Sequence, residues 1–333
     1  MSKRNKTSSS RRKALRKRGK KSTIDTRLPS AAAAQKAAED YANAATPPPE
    51  SQDVADAGLA PFPEPVKAYN NLDFLASSGA RSIRIQCELA EPAVRFRKHQ
   101  VNSTIVLFGS ARIAPPDRAE KELERLEKEI GQQNSITREQ KDQLDRARRL
   151  KRAAPYYESA RRLSYDLTQW SLEKIPHPGS RFYICSGGGP GIMEAANRGA
   201  HEAGGQSVGL GISLPFEQHL NTYTPNDLGF EFHYFFVRKY WFLYLAKALV
   251  VFPGGFGTMD ELFEMLTLVQ TQKVQKYVPV VLFGTEFWHE VVNFKALVDW
   301  GVISREDLDL FRFSDSVEET RDYLIDELSR YYL

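Results

Sequence analysis

Three glycine-rich turns hold the residues whose types and spacing could do chemistry: Phe108-Gly109-Ser110, Ser186-Gly187-Gly188-Gly189-Pro190-Gly191 and Pro253-Gly254-Gly255-Phe256-Gly257-Thr258. Each follows a short, strongly apolar run. Glycine lets backbone N–H groups close on a phosphate, and the start of a following helix adds the favourable end of its dipole. One such turn is equally well explained by the steric needs of a tight strand-to-helix connection. Three at the same edge of one sheet point to a phosphorylated ligand. The common nucleotide fingerprints do not fit. A GxGxxG frame opening at Gly187 meets Ile192 where it needs glycine, and no lysine completes GxxxxGK[ST]. A mononucleotide or a sugar phosphate suits these turns better than a dinucleotide.

Charged residues flank the third turn. Glu261 lies three residues after Thr258, which is the spacing of a helix capping box as well as of a carboxylate aimed at a ligand. Arg238 and Lys239 open the aromatic stretch Tyr240-Trp241-Phe242-Leu243-Tyr244. They read either as a solvated pair or as cations that hold an anionic substrate. Phe235, Phe236 and Tyr240 could stack a nucleobase or simply pack. Glu194, beside Met193 at the start of a helix, could serve the helix dipole or a ligand.

Alternation of apolar runs with helical patterns positions these turns. Strands are expected at 104–108, 182–185, 207–212, 248–252 and 278–283, and helices at 156–170, 191–203, 238–247, 258–272 and 318–331. Such alternation indicates βαβ units and a doubly wound, mostly parallel α/β sheet. Residues 117–153 read as a charged helical hairpin inserted after the first strand, and 73–100 as a helical lead-in. Residues 1–70 read as a disordered tail, first basic, then Ala-rich and Pro-rich, ahead of a single nucleotide-binding domain at 71–333.

Composition narrows the function classes. The 333 residues carry 46 Lys and Arg against 42 Asp and Glu, but eleven of the basic residues crowd into positions 1–21, where no acid occurs. The body beyond the tail is therefore acidic, and only the tail offers a contact for nucleic acid or another polyanion. Two cysteines and six scattered histidines provide neither a disulfide framework nor metal-ligand spacing, so no metal is expected and a reducing, cytoplasmic setting fits. No run of 18 apolar residues is present, so no membrane partner is expected.

The segment from Pro253 to Glu261 resembles the PGGxGTxxE motif of the Lonely Guy (LOG) family, phosphoribohydrolases once mislabelled lysine decarboxylases. The resemblance extends through Ser186 to Met193, similar to a GGGxxGxM turn, through Glu217, through Arg238-Lys239 and on to Thr267. It implies a Rossmann-like homodimer or higher homo-oligomer that splits the N-glycosidic bond of nucleoside 5′-monophosphates without a cofactor. Arg238 and Glu261 then fall on the catalytic pair. Substrate contacts fall on Glu217, Lys239, Gly254, Gly255, Phe256, Gly257, Thr258, Met259 and Thr267, to which the first two turns add Gly109, Ser110, Gly187, Gly188, Gly189, Gly191 and Met193. Glycoside cleavage needs a carboxylate near the anomeric carbon and a cation that orients the sugar phosphate, and these two residues have that chemistry. Phe235-Phe236-Val237 stands where compact members carry Met-His, and the tail and arm are additions, so the chain is more similar to long members described as AMP or general monophosphate nucleosidases. The alternative is a non-catalytic carrier of a nucleotide or phosphorylated cofactor on the same fold.

Overall fold

The computed structural model describes residues 65–131, 136–214 and 220–333. Most of the expected tail, and Glu217, lie outside them. The chain divides into compact units Met1–Ala76 and Ser77–Leu333. The described part of the first carries a 3-10 turn at Ala68–Asn70 and one short α-helix, α1 (Leu72–Ala76). The second contains the sheet.

Seven parallel strands form that sheet: β1 (Thr104–Phe108), β2 (Tyr183–Ser186), β3 (Ser207–Ile212), β4 (Gly229–Phe232), β5 (Ala246–Val251), β6 (Val280–Phe283) and β7 (Arg312–Ser314). Their order is β4-β3-β2-β1-β5-β6-β7, with every pairing parallel. The chain winds outward from β1 to β4, then returns to the other side of β1 with β5. The order therefore reverses between β1 and β5, the place where open α/β sheets form a crevice at their carboxyl ends.

All five residues of β1 are buried, as a central strand covered on both faces requires. Alternation along the strand then sorts the core. Val106 and Phe108 face a layer with Phe96 of α2 (Arg81–Lys98), Trp241 and Phe242 of α7 (Phe235–Leu245), and Leu262 and Met265 of α8 (Phe256–Gln270). Ile105 and Leu107 face the opposite layer, with Tyr157, Leu163 and Leu167 of α5 (Pro155–Lys174), Ile192 and Ala196 of α6 (Ile192–Glu202), and Leu324 of α11 (Val317–Tyr332). The short helices α9 (Thr285–Val291) and α10 (Phe294–Asp299) place Trp288 and Phe294 in the first layer. This is a Rossmann-like α/β architecture.

The arm is a helical pair, α3 (Pro116–Gly131) and α4 (Arg138–Ala153). A capping box between Thr137 and Gln140 starts α4. Leu123, Leu126, Leu144 and Ala147 form a small apolar cluster of their own, flanked by exposed Arg148–Glu127 and Lys151–Glu120 ion pairs. Pairs so exposed contribute little to stability.

Several element boundaries differ from the sequence reading. The two sheet edges add β4 and β7, four and three residues long, which the sequence reading does not include. Helix α7 starts at Phe235 rather than 238, and the His233 and Tyr234 amides just ahead of it donate to the Glu88 carboxylate. It ends at Leu245, so residues 246 and 247 belong to β5. Helix α8 starts at Phe256 rather than 258, with Gly255 as its N-cap.

Helices α5 and α6 touch at Gly199, where an added Cβ would stand 2.0 Å from the Arg161 carbonyl oxygen and 2.9 Å from Ser164 Cβ. Ser164 is held in place, since its hydroxyl donates to the Ala196 carbonyl at 2.5 Å. Gly199→Ala is expected to destabilise the protein by about 1–3 kcal/mol through overpacking, measured by denaturant unfolding.

Candidate functional site

The three glycine turns meet at the switch point. Ser110, after β1, donates its amide to the Pro253 carbonyl after β5 at 3.0 Å, and its own carbonyl accepts from Ile192 N at 3.1 Å. Steric contact fixes the junction further. A Cβ on Gly109 would stand 2.6 Å from Ile192 Cγ2, and one on Gly191, where φ is +72°, would stand 2.3 Å from the Ser110 carbonyl oxygen. Gly254 is pressed equally closely against the Thr258 side chain, with 2.1 Å from an added Cβ to Oγ1. Side chains at these positions would push the turns apart.

A buried polar network underlies the triple-glycine turn. Asn197 Oδ1 accepts from Ser186 Oγ at 2.7 Å and from Asn221 Nδ2 at 2.9 Å, while Asn197 Nδ2 donates to Ser207 Oγ at 2.9 Å. Asn221 Nδ2 also reaches the carbonyls of Gly188 and Gly189, at 3.0 and 3.1 Å, and its amide donates to Gly188 O at 2.7 Å. Gly188 N in turn donates to Ser186 Oγ at 3.3 Å. A fully satisfied network of this kind gives a turn one conformation. Asn197 left a trace in the sequence, as a polar residue among the alanines of α6 that face the core. Asn221, in a loop, left none.

Arg238 sits over this turn. Its Nε donates to the Leu210 carbonyl at 2.6 Å, and its guanidinium carbon lies 4.8 Å from the centre of the Phe242 ring. Gly187 makes room for it: a Cβ there would stand 2.7 Å from Arg238 Nη2 and 2.4 Å from Met193 Sδ. The arginine, the methionine and the second turn are thus one packed unit. Glu194, one residue on, accepts from the Tyr157 hydroxyl at 2.8 Å, which answers its polar need from within the fold.

Glu261 is 5 % exposed, and its Oε2 has no hydrogen-bond partner. Because α8 begins at Phe256, Thr258 occupies the third helical position and Glu261 the sixth, and no side chain caps this helix. The capping-box reading of Glu261 is thereby overturned. Burial raises its pKa from the ordinary 4.5 to about 7, with Lys239 and Arg238 pulling it down and Glu264 and Asp260 pushing it up. A buried carboxyl with an unsatisfied oxygen is costly to a fold, and such groups concentrate where charge is used.

Lys239 is engaged by two carboxylates, Glu264 at 2.6 Å and Asp260 at 2.9 Å. Burial opposes its charge, but those hydrogen bonds raise its pKa overall. Gly255 and Gly257 are open to solvent, and Phe256 is 96 % exposed. Met259 packs against the core. Thr267 donates to the Phe263 carbonyl of its own helix at 2.7 Å, and at six residues beyond Glu261 it lies about 9 Å further along α8. Among the described residues no group of three or more His, Cys, Asp or Glu side chains could hold a metal ion. No helix among them is long and apolar enough to cross a membrane.

Residues 193–324, which include Arg238 and the whole of the third turn, match the family model described as "Possible lysine decarboxylase". No curated protein matches. Among solved structures, the structural-genomics target TM1055 is 18% identical, with a TM-score of 0.40 over 67% of this chain and 99% of its own. The molybdenum cofactor binding protein of Rippkaea orientalis is 16% identical, with a TM-score of 0.36 over 68% of this chain and 96% of its own. The Moco carrier protein of Chlamydomonas reinhardtii is 16% identical, with a TM-score of 0.37 over 69% and 99%.

The raised Glu261 pKa has a direct consequence for stability. The fold disfavours the charged form, so the wild type loses stability relative to a neutral variant as pH rises from 4.5 through about 7. Glu261→Gln is expected to match the wild type below pH ~4.5 and to exceed it at pH ~8 by up to about 3 kcal/mol, read by denaturant unfolding at both pH values.

Proposed function

We propose that the chain hydrolyses the N-glycosidic bond of nucleoside 5′-monophosphates of the AMP type, giving free base and ribose 5-phosphate. The observation that carries this reading is Glu261: a 95% buried carboxyl with an unpartnered oxygen, on the helix that leaves the third glycine turn and within the field of Arg238. A buried carboxyl with an unanswered oxygen costs the fold more than an apolar side chain in the same place.

In this reaction the C1′–N bond breaks, its electron pair leaves with the base, and the ribose becomes oxocarbenium-like. Water then adds its oxygen to C1′, and one proton ends on the base. The Gly254 to Thr258 amides, at the start of α8, receive the phosphate. Arg238, braced by the Leu210 carbonyl and Phe242, orients the sugar phosphate. Glu261 in its ionised form stabilises the cationic ribose or takes a proton from the attacking water, and a pKa near 7 suits either task at neutral pH. Every group involved belongs to the chain itself, so the reaction calls for no cofactor.

We also read the chain as a homo-oligomer. Phe236, Tyr240 and Tyr244 are 59%, 43% and 50% exposed and recur every four residues along α7, which makes one aromatic stripe on a single helix face. A second copy of the chain is the occupant that the family resemblance supplies. The free thiols Cys87 and Cys185 fit a cytoplasmic setting.

Base release is to be followed with AMP, GMP, CMP, UMP and isopentenyl-AMP. Wild type is expected to release base from at least one of them, and Glu261→Gln, folded as judged by thermal unfolding, to be slower by about 10²–10⁴. Binding of a monophosphate with no release by wild type would favour the carrier instead. Tyr240→Glu is expected to lower the mass measured by light scattering to that of one chain, and an unchanged mass would remove α7 from the interface.

A further inference from the structure

Arg238 and Glu261 lie on different helices, so something must set the distance between them. Helix α7 brings Arg238 to the second turn, and α8 carries Glu261 away from the third. Directly after Arg238 in the chain comes Lys239, whose ammonium reaches across to α8 and meets Asp260 at 2.9 Å and Glu264 at 2.6 Å. These two acids bracket Glu261 in sequence, one before it and three after. Being four residues apart, they share one flank of α8, and the buried Glu261, three residues before Glu264, lies beside that flank on the core side.

Two like charges at that spacing destabilise a helix unless a cation lies between them. Lys239 is that cation. Its side chain is only 16% exposed, so its charge is held in place rather than swept through solvent. A lysine committed to two carboxylates has little charge left to offer a phosphate.

We propose that Lys239 is a positioning residue that clamps α7 to α8 and so fixes Arg238 against Glu261, rather than a ligand for the substrate. The proposal rests on Arg238 and Glu261 acting together as described above. It departs from the expectation that Lys239 contacts substrate.

The clamp and the ligand role predict opposite behaviour when the acids are neutralised. Asp260→Asn/Glu264→Gln releases Lys239. If the lysine is a clamp, that variant and Lys239→Met both lose kcat, by about tenfold to a hundredfold when measured at each variant's own pH optimum. KM and the affinity for ribose 5-phosphate stay within about twofold, and combining the changes costs no more than the worse of the two alone. Lys239→Arg restores most of the rate. If instead Lys239→Met raises KM and weakens ribose 5-phosphate binding while the released lysine binds it as well or better, Lys239 is a ligand and the clamp is wrong.

A readout independent of turnover keeps this separate from the proposed reaction. Amide hydrogen exchange over residues 256–264 is expected to quicken in both Lys239→Met and Asp260→Asn/Glu264→Gln, and to return to the wild-type rate in Lys239→Arg. Unchanged exchange would overturn the clamp. If wild type releases no base while exchange behaves as expected, the clamp stands and the hydrolase reading falls.

Discussion

A carboxyl group taken out of water with one oxygen unanswered is the constraint around which the site is built. Glu261 is buried, has no partner at Oε2, and sits between two cations and two further acids of its own helix. An isolated carboxylate in such a place would simply stay protonated. Arg238 and Lys239 counter that tendency and leave the group near the midpoint of its titration at neutral pH. The balance depends on where two helices end up, and therefore on the turns from which they start.

Those turns owe their position to the winding of the sheet. Strands β2, β1 and β5 are neighbours, and the direction of winding reverses between the last two, so three chain segments separated by tens of residues arrive at one edge. Close approach then excludes side chains. Gly109 lies against Ile192, Gly191 against the Ser110 carbonyl, and Gly187 against Met193 and Arg238. Glycine at these positions is a packing requirement as much as a means of exposing amides, so the steric and the functional explanations of the turns describe the same geometry. The Asn197–Asn221 network beneath the second turn supplies the rigidity that a run of glycines lacks.

Much of this was legible in the residues. Strands β1 and β3 fall where their short, uncharged runs place them, since a strand covered on both faces has no room for charge. The three turns were visible because a strand that ends in glycine is a local signal. What escaped depends on distant parts of the chain. Helix α7 starts three residues early, where a carboxylate from α2 accepts from the two amides just ahead of it, and a contact made across about 145 residues has no local mark. The start of α8 was misplaced for a related reason: Thr258 and Glu261 have the spacing of a capping box, yet Gly255 caps that helix without any side chain. The partners of Lys239 could not be read either, because the contact joins residues 239, 260 and 264 only once both helices are docked.

The most direct test of this account is the titration of the Glu261 side chain itself. Carbon-13 carboxyl shifts of the folded wild type, followed from pH 3 to 9 and assigned by comparison with Glu261→Gln, should show one glutamate titrating near pH 7. A Glu261 resonance titrating near the ordinary 4.5 would mean that the carboxyl is solvated or paired, and the account of the site built on its burial would be wrong.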